Sequence, residues 1–237
     1  MRTYLWMEHP NYHTIQGHVV FGLISKWHAW TIYTSTCMYN LPVYKANKIM
    51  GVIRRTYTHL DEACFRLLFV ALVRPHLEYS QAVWKPYLRA QINQLERVQR
   101  RATKLVPTLR NPERLRQLRL PTLAYRRLRG DMIETFKITH GIYDSAATQG
   151  LLQYMYTPHT RTRGHPFKLH KPICSRNIRL HSFTHRVINH WNNLSWSVVS
   201  ATTTLQFEQR LDSTWRDHPL KWDPEAPEAH RSGHRGT

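Results

Sequence analysis

Residues 72–129 read LVRPHLEYSQAVWKPYLRAQINQLERVQRRATKLVPTLRNPERLRQLRLPTLAYRRLR and carry a dense positive charge. Lysine and arginine recur throughout this segment, whereas its only acidic residues are Glu78, Glu96 and Glu113. Apolar residues recur at helical spacing among the charged residues, which indicates folded helices rather than a disordered basic tail. A folded basic surface most often binds a polyanion, so we expect a mainly α protein with one basic flank.

The composition of the whole chain favours the same kind of partner. The 237 residues carry a formal net charge of +19, and 41% of them are hydrophobic and 11% aromatic, which allows a buried core and argues against disorder. RNA, DNA or both are therefore the expected partners, bound without sequence specificity, and membrane headgroups are the lesser alternative. We expect no membrane association.

Cysteine usage and the absence of short catalytic motifs disfavour disulfide-rich proteins, zinc proteins and enzymes. Cys37, Cys64 and Cys174 are far apart and form no C-x-x-C pair, which disfavours a disulfide framework or a cysteine-rich zinc site. A reducing intracellular setting, nucleus or cytoplasm, is expected. No P-loop, nucleophile elbow or H-E-x-x-H motif occurs, so an independent enzyme is disfavoured and no cofactor is predicted.

Two helices are predicted ahead of the basic segment. YKANKIMGVIRRTY, residues 44–57, predicts a helix with Ile49, Val52 and Ile53 inward and Arg54 and Arg55 outward. A capping box from Thr58 to Asp61 then predicts a second helix, which Pro75 ends or kinks. The inward stripe of this second helix is predicted to be Phe65, Leu68, Phe69, Leu72 and Val73. The doublet Asp61-Glu62 is interpreted as a helix start rather than a metal pair.

The helix predicted over 91–106 carries the main candidate binding surface. Ile92, Leu95, Ala102 and Leu105 or Val106 form its inner stripe, and only Glu96 offsets its cations nearby. A solvated charged face is one interpretation, and the one-sided sign favours contacts to phosphate. The predicted nucleic-acid-binding residues of this helix are Arg97, Arg100, Arg101 and Lys104.

A later helix adds three further candidates. Tyr125, Leu128, Met132 and Phe136 share one face of it, and Gly141 is expected just after its end. Arg126, Arg127 and Arg129 lie off that apolar face and are predicted to bind nucleic acid. The upstream aromatic residues Tyr79, Trp84 and Tyr87 can stack bases or pack at a helix junction, and packing is favoured.

The composition changes after about residue 145. A short hairpin or extended segment is predicted, with β-prone pieces at 167–169 and 178–180. Its basic residues are predicted to contact phosphate, and they are Arg161, Arg163, Lys168, Lys171, Arg176 and Arg179. Zinc binding by His159, His165, His170, Cys174, His181 and His185 is disfavoured, since no pair has finger spacing.

Two more helices and a tail complete the expected organisation. Phe183, Val187, Trp191 and Leu194 form one stripe, and Thr202 or Thr203 caps a helix carrying Phe207, Leu211 and Trp215. We predict an unassigned segment over 1–43, a basic helical bundle over 44–145, a small α-rich domain over 146–217 and a flexible tail over 218–237.

Four blocks in this order resemble a known family. LVRPHLEYSQAVWKP (72–86), LERVQRRATKLV (95–106) and LRLPTLAYRRLRGDMIETFKITHG (118–141) are followed by RVINHWNNL (186–194) with FEQRLDSTW (207–215). They resemble the region downstream of the palm in reverse transcriptases of non-LTR retrotransposons (LINE elements), of the Jockey and chicken-repeat-1 type. The resemblance covers about residues 44–215.

The resemblance implies the thumb and C-terminal region of an RNA-directed DNA polymerase. The family's palm carries a catalytic Asp-Asp pair, which this sequence lacks, so the chain is expected not to be an enzyme by itself. We expect the palm, fingers and endonuclease to be absent, and we do not expect the Mg²⁺ of the full-length polymerase here. The expected function is contact with the template–primer backbone. An intact retroelement polymerase acting in trans is a further candidate partner. The alternative function is that of a helical protein-interaction module, or the chain is the nonfunctional product of a decayed element.

Overall fold

The protein is mainly α-helical, as the sequence predicts. The computed structural model describes residues 31–107, 114–155, 165–175 and 177–226, with the backbone alone for 31–40, 177 and 178. The α-helices in chain order are α1 Thr31–Thr56, α2 Glu62–Leu68, α3 Arg74–Glu78, α4 Arg89–Thr103, α5 Arg114–Gln117, α6 Leu123–Thr139, α7 Ser145–Thr148, α8 Asn177–Leu180, α9 Phe183–Asn192, α10 Trp196–Val199 and α11 Thr204–Thr214. None of the described helices is long and apolar enough to cross a membrane.

Helix α1 packs on α3 and α4 through a narrow apolar face. Val43, Ala46 and Ile53 are buried in this face, and they join the core of the first half of the chain. The prediction that Val52 points inward is wrong, because its side chain is 48% exposed. Val52 precedes Ile53 by one residue and is therefore turned about 100° around the helix.

Helices α2 and α3 are joined by a π-helical turn, Phe69–Val73, into one continuous helical segment. The N–H of Arg74 donates to the carbonyl of Phe69, five residues back, in a turn wider than an α-helical one. This turn shifts the apolar period, so Leu72 is 45% exposed and its predicted burial is wrong. Pro75 follows the π turn at the start of α3, where its missing N–H disrupts little.

The start of α2 differs from the predicted capping box. Asp61 is itself the N-cap residue, and its carboxylate accepts a hydrogen bond from the backbone N–H of Cys64 at 2.6 Å. Glu62 follows in the first turn, where its charge complements the helix dipole. The acidic doublet therefore serves helix initiation.

Helix α6 connects two apolar cores. Leu123 near its start belongs to the core shared with α1–α4, whereas Met132 and Phe136 belong to a second core shared with α9 and α11. The four predicted inward residues of α6 are all buried. The helix ends in a Schellman motif, in which Gly141 has φ +63° and Ile142 N–H donates to the carbonyl of Lys137.

The second core holds α9–α11 and one antiparallel bridge. Tyr154 pairs with Leu169, which matches the extended piece predicted at 167–169. The other predicted extended piece, 178–180, is wrong, since these residues lie in α8. The predicted stripes of α9 and α11 are buried, with Trp215 half-buried at the end, and Thr203 is the N-cap of α11.

Part of the predicted flexible tail is packed. The 3₁₀ turn Pro219–Lys221 lies against the start of α6, where Thr122 N–H donates to the carbonyl of Lys221 at 3.0 Å. Leu220 is only 3% exposed and packs with Tyr125 and Leu128. The prediction is therefore wrong for 218–226, and 227–237 lie outside the described residues, as do 1–30.

Two glycines provide a test of the helix geometry. Gly141→Ala should destabilise the protein by about 1 kcal/mol, because an alanine at positive φ is strained. Gly51→Ala lies inside α1, where an added Cβ meets only the end of Arg55 at 3.8 Å, and should stabilise by about 0.5–1 kcal/mol. Urea unfolding midpoints of the two variants measure both changes, and equal signs would contradict the assigned helix end.

Candidate nucleic-acid interface

The basic residues predicted on α4 share one exposed face. Arg97, Arg100, Arg101 and Lys104 are all exposed, and at about 100° per residue they fall within an arc of about 100°. The opposite side of α4 is buried through Leu95, Val98, Ala102 and other residues of the first core. We call these four cations the α4 basic face.

Glu96, the only acid of α4, lies in the core and not on this face. It is 1% exposed, and its carboxylate accepts a hydrogen bond from the N–H of Ala124 at 2.8 Å, at the start of α6. Burial raises the pKa of Glu96, while the bond from Ala124 and the nearby Arg127 and Arg100 oppose that rise. The sequence predicted that Glu96 offsets the cations, but its position leaves the exposed face with cations alone.

Helix α1 lies beside the α4 basic face and extends it. The Arg101 guanidinium donates to Oδ1 of Asn47 at 3.0 Å, which places the two helices in contact at this point. Residues 31–56 contain no acid, and Lys48, Arg54 and Arg55 are exposed. These three residues are not among the predicted binding residues, although the lack of acids in α1 indicates a basic surface there.

Arg126 and Arg129 on α6 are held in ion pairs within the molecule. Arg126 forms a two-point ion pair with Glu78, in which Nη2 donates to Oε2 at 2.8 Å. Arg129 donates to both oxygens of Asp212, at 2.6 and 2.9 Å, and to Glu208 at 3.2 Å. The hydrogen bond to Asp212 raises the pKa of Arg129 above its usual range. These two guanidinium groups connect parts of the fold through ion pairs, whereas the cations of the α4 basic face are exposed.

Arg127 is in the interior. It is 1% exposed, and Nη2 donates to the carbonyl of Leu77 at 3.0 Å. Its guanidinium also lies 6.0 Å from the ring of Trp84, and burial lowers its pKa. Arg127 is therefore not part of the exposed surface that carries the α4 basic face.

Three of the six basic residues predicted after the boundary lie within the described residues. Lys168 is half-buried, whereas Lys171 and Arg179 are exposed, and Lys171 Nζ donates to Oδ1 of Asn189 at 3.1 Å. Arg161, Arg163 and Arg176 lie outside the described residues. Within the described part of the chain, no group of three or more His, Cys, Asp or Glu side chains is placed to hold a metal ion.

The aromatic residues between α3 and α4 differ in burial. Trp84 is 8% exposed and its indole N–H donates to the carbonyl of Tyr79 at 2.6 Å, as junction packing requires. Tyr87 is 43% exposed and stacks on His181, with ring centroids 4.4 Å apart and planes 10° from parallel. Only Trp84 fits the packing interpretation in full.

Asp131 on α6 is the buried carboxylate that links the two halves. It is 1% exposed and accepts hydrogen bonds from Lys85 at 3.1 Å and from Arg186 at 2.9 and 3.0 Å. Burial alone would raise its pKa, but the charges of Arg186 and Lys85 hold the pKa below its ordinary value. The ionised form of Asp131 is thus the form that the fold requires.

No family model, curated protein or solved structure matches this chain. The resemblance to retroelement polymerases therefore stays a prediction from the four sequence blocks quoted above. The first three blocks contribute α3, α4 and α6. They therefore place the α4 basic face and the buried acids Glu96 and Asp131 in one packed unit.

Removing the charge of Asp131 should lower the free energy of unfolding by an amount that depends on pH. Asp131→Asn should cost about 3 kcal/mol at pH 7, because Lys85 and Arg186 lose their buried partner. The depressed folded-state pKa contributes stability above about pH 3.9, and this stability is lost as the pH falls through the folded-state pKa. The wild type should therefore lose stability on acidification more steeply than the variant, as measured by urea unfolding across pH.

Glu96→Gln is the matched control for that substitution. The amide keeps an acceptor for Ala124 N–H, and burial already disfavours the charge of Glu96. Because its folded-state pKa is raised, Glu96 contributes stability at low pH that is lost as the pH rises through that pKa. Glu96→Gln should therefore cost less than Asp131→Asn at pH 7, and a larger cost would refute the assignment of Asp131 as the main buried link.

Proposed function

We propose that this protein binds RNA or DNA through the phosphate backbone, using the α4 basic face. The observation that carries the proposal is the arc of four exposed cations on a helix whose only carboxylate lies in the core. Repulsion among like charges at this spacing costs a few tenths of a kcal/mol per pair, and a bound polyanion offsets it. Binding of this kind follows phosphate and carries little information about base sequence.

The helix dipole explains only part of this arrangement. Arg100 and Arg101 lie in the last turn of α4 and Lys104 caps it, where cations stabilise the helix by about 0.3–1 kcal/mol. Arg97 lies a turn earlier, and Lys48, Arg54 and Arg55 are on the neighbouring helix. A role in capping therefore does not account for the full surface, whereas a polyanion contacts all of it.

The family resemblance adds a more specific form of the proposal. The chain would be the thumb and C-terminal region of a non-LTR retrotransposon polymerase, contacting a template–primer duplex without catalysing synthesis alone. Mg²⁺ chemistry would belong to the palm of the full-length polymerase. An intact polymerase acting in trans, in the nucleus or cytoplasm, is the protein partner that this form of the proposal names.

A second candidate function is a helical protein-interaction module, or an idle product of a decayed element. Exposed apolar side chains on the segment formed by α2, the π turn and α3 favour it: Leu67 is 70% exposed and Leu72 45%. Tyr44 on α1 is 65% exposed. Such residues are typical of a surface that meets another protein.

The proposal is tested by the salt dependence of binding to single-stranded RNA, an RNA–DNA hybrid and duplex DNA. Each phosphate neutralised contributes about 0.9 to the log–log slope on duplex DNA, so four contacts predict a slope near −3.6. Combining Arg97→Gln, Arg101→Gln and Lys104→Gln should reduce the size of that slope by roughly 2 to 3. Fluorescence anisotropy between about 50 and 200 mM salt measures both slopes.

A matched control variant distinguishes binding by the α4 basic face from a general effect of net charge. Arg66→Gln, Arg116→Gln and Arg216→Gln remove the same charge from three exposed residues outside α4. This control should keep most of the wild-type slope. Equal losses in both triple variants would show that only net charge matters, and absent binding by folded wild-type protein would leave the second candidate.

A further inference from the structure

A cleft separate from the α4 basic face lies where the two halves of the chain meet. Its volume is about 470 Å³, and its walls come from the segment before α4, the first turns of α4 and α6, the α8–α9 region and the packed segment 219–226. The cations that line it are Lys85, Arg89, Arg127, Lys171 and Arg186. Among the described residues lining the cleft there is no aspartate or glutamate.

Three carboxylates that interact with the cations of this region are already engaged in hydrogen bonds. Asp131 accepts from both Lys85 and Arg186, and Glu96 accepts from Ala124 N–H. Glu78 is paired with Arg126. The ion pairs of this region therefore include Lys85, Arg186 and Arg126, and none of them includes Arg127.

Arg127 is the buried cation that lines the cleft, and the charges of Glu96, Glu78 and Asp131 act on it without a direct ion pair. It is 1% exposed, it forms no ion pair within the described residues, and its Nε meets no hydrogen-bond acceptor there. An arginine does not deprotonate in proteins, so this buried charge persists at every physiological pH. The bond to Leu77, the Trp84 ring and the nearby carboxylates offset part of the cost of burying this charge, and an anion in the adjoining cleft would offset more of it.

The walls of the cleft can supply direct contacts to an anion. Lys85 uses one of its three N–H donors on Asp131, and Lys171 uses one on Asn189, so each ammonium keeps further donors. Arg89 donates to the carbonyl of Pro224 at 3.3 Å and is exposed. Several donors around one fixed charge are typical of phosphate recognition.

The cleft is larger than one phosphate group. Its volume lies within the usual range of small-molecule sites, about 300–1,000 Å³. Ile92, Leu220 and Pro224 give it apolar wall, and the stacked rings of Tyr87 and His181 stand at its edge. These features suit a ligand that joins a phosphate to a ring of moderate size.

We propose that this cleft binds the phosphate of a small phosphate ester of nucleoside monophosphate size, with Arg127 as the fixed charge at its floor and Lys85, Lys171 and Arg89 as donors. The ester is either a free nucleotide or the terminal phosphate of a nucleic-acid strand. The site is distinct from the α4 basic face and does not depend on that face binding nucleic acid.

The test is calorimetric titration of the full chain with adenosine monophosphate, adenosine and inorganic phosphate at matched ionic strength. Adenosine monophosphate should bind with one-to-one stoichiometry and raise the melting temperature, and adenosine should bind at least tenfold more weakly. Arg127→Met should weaken binding of the nucleotide at least tenfold, and Lys171→Gln about threefold. Lys171 is exposed, so its variant reports on the site even where Arg127→Met fails to fold.

Two controls distinguish a free nucleotide from a strand end, and binding in the cleft from binding to the α4 basic face. The triple glutamine variant of the α4 basic face should bind adenosine monophosphate like wild type, which separates failure of this site from failure of that face. Preference for a 5′-phosphorylated tetranucleotide over its 5′-hydroxyl form would assign the strand end, and no preference would assign the free nucleotide. Unchanged nucleotide affinity in both Arg127→Met and Lys171→Gln, or no binding by wild type, would overturn the proposal.

Discussion

The buried carboxylate of Asp131 is the contact on which the arrangement of this protein depends. It lies on α6 and pairs with Lys85 from the segment before α4 and with Arg186 from α9, residues 46 and 55 positions away. Arg186 also donates to the carbonyls of Gln81 and Ala82. One carboxylate with its two cations therefore fixes three parts of the chain relative to one another.

A buried ion pair of this kind contributes specificity more than stability. Removing three charged groups from water is costly, and the cost is offset only when donors and acceptors are well matched. Both oxygens of Asp131 accept hydrogen bonds at 2.9–3.1 Å, which meets that condition. A different packing of α6 on α9 would leave these charges buried and unpaired, so competing arrangements are disfavoured.

The distribution of acids also determines the charge of the surface. The chain has 15 acidic residues against 34 lysines and arginines, and Glu78, Glu96, Asp131, Glu208 and Asp212 are all engaged inside the fold or between helices. Acids engaged in this way cannot neutralise cations on α1 and α4. The exposed cations of α1 and α4 are therefore not offset by these five acids.

Sequence patterns predicted what depends on local spacing. The stripe of α6, the glycine after it and a helix start at Thr202 or Thr203 are predictable, since each depends on residues within one or two turns. Exposure of the α4 cations was predictable for the same reason. The burial of Leu72 was mispredicted because a π turn changes the helical period, and no spacing rule indicates where such a turn occurs.

Long-range partners were not predictable from the same patterns. Arg126, Arg127 and Arg129 look alike in sequence, yet their surroundings are set by Glu78, Leu77 and Asp212, which are 48 to 83 residues away. Leu220 is buried by the start of α6, and Thr122 donates to its carbonyl across 98 residues. A residue's own neighbours in sequence cannot specify contacts of this kind.

Helix α4 connects the two candidate binding surfaces. Arg89 and Ile92 at its start line the cleft, whereas Arg97 to Lys104 form the basic face towards its end. Arg89 and Arg97 are eight residues apart, about 12 Å along a helix axis at 1.5 Å per residue. Three to four nucleotides of a helical strand cover that length at about 3.4 Å each. A strand that follows the basic face of α4 would therefore bring its end to the cleft, and one rigid helix would set the distance between backbone contacts and the terminal phosphate.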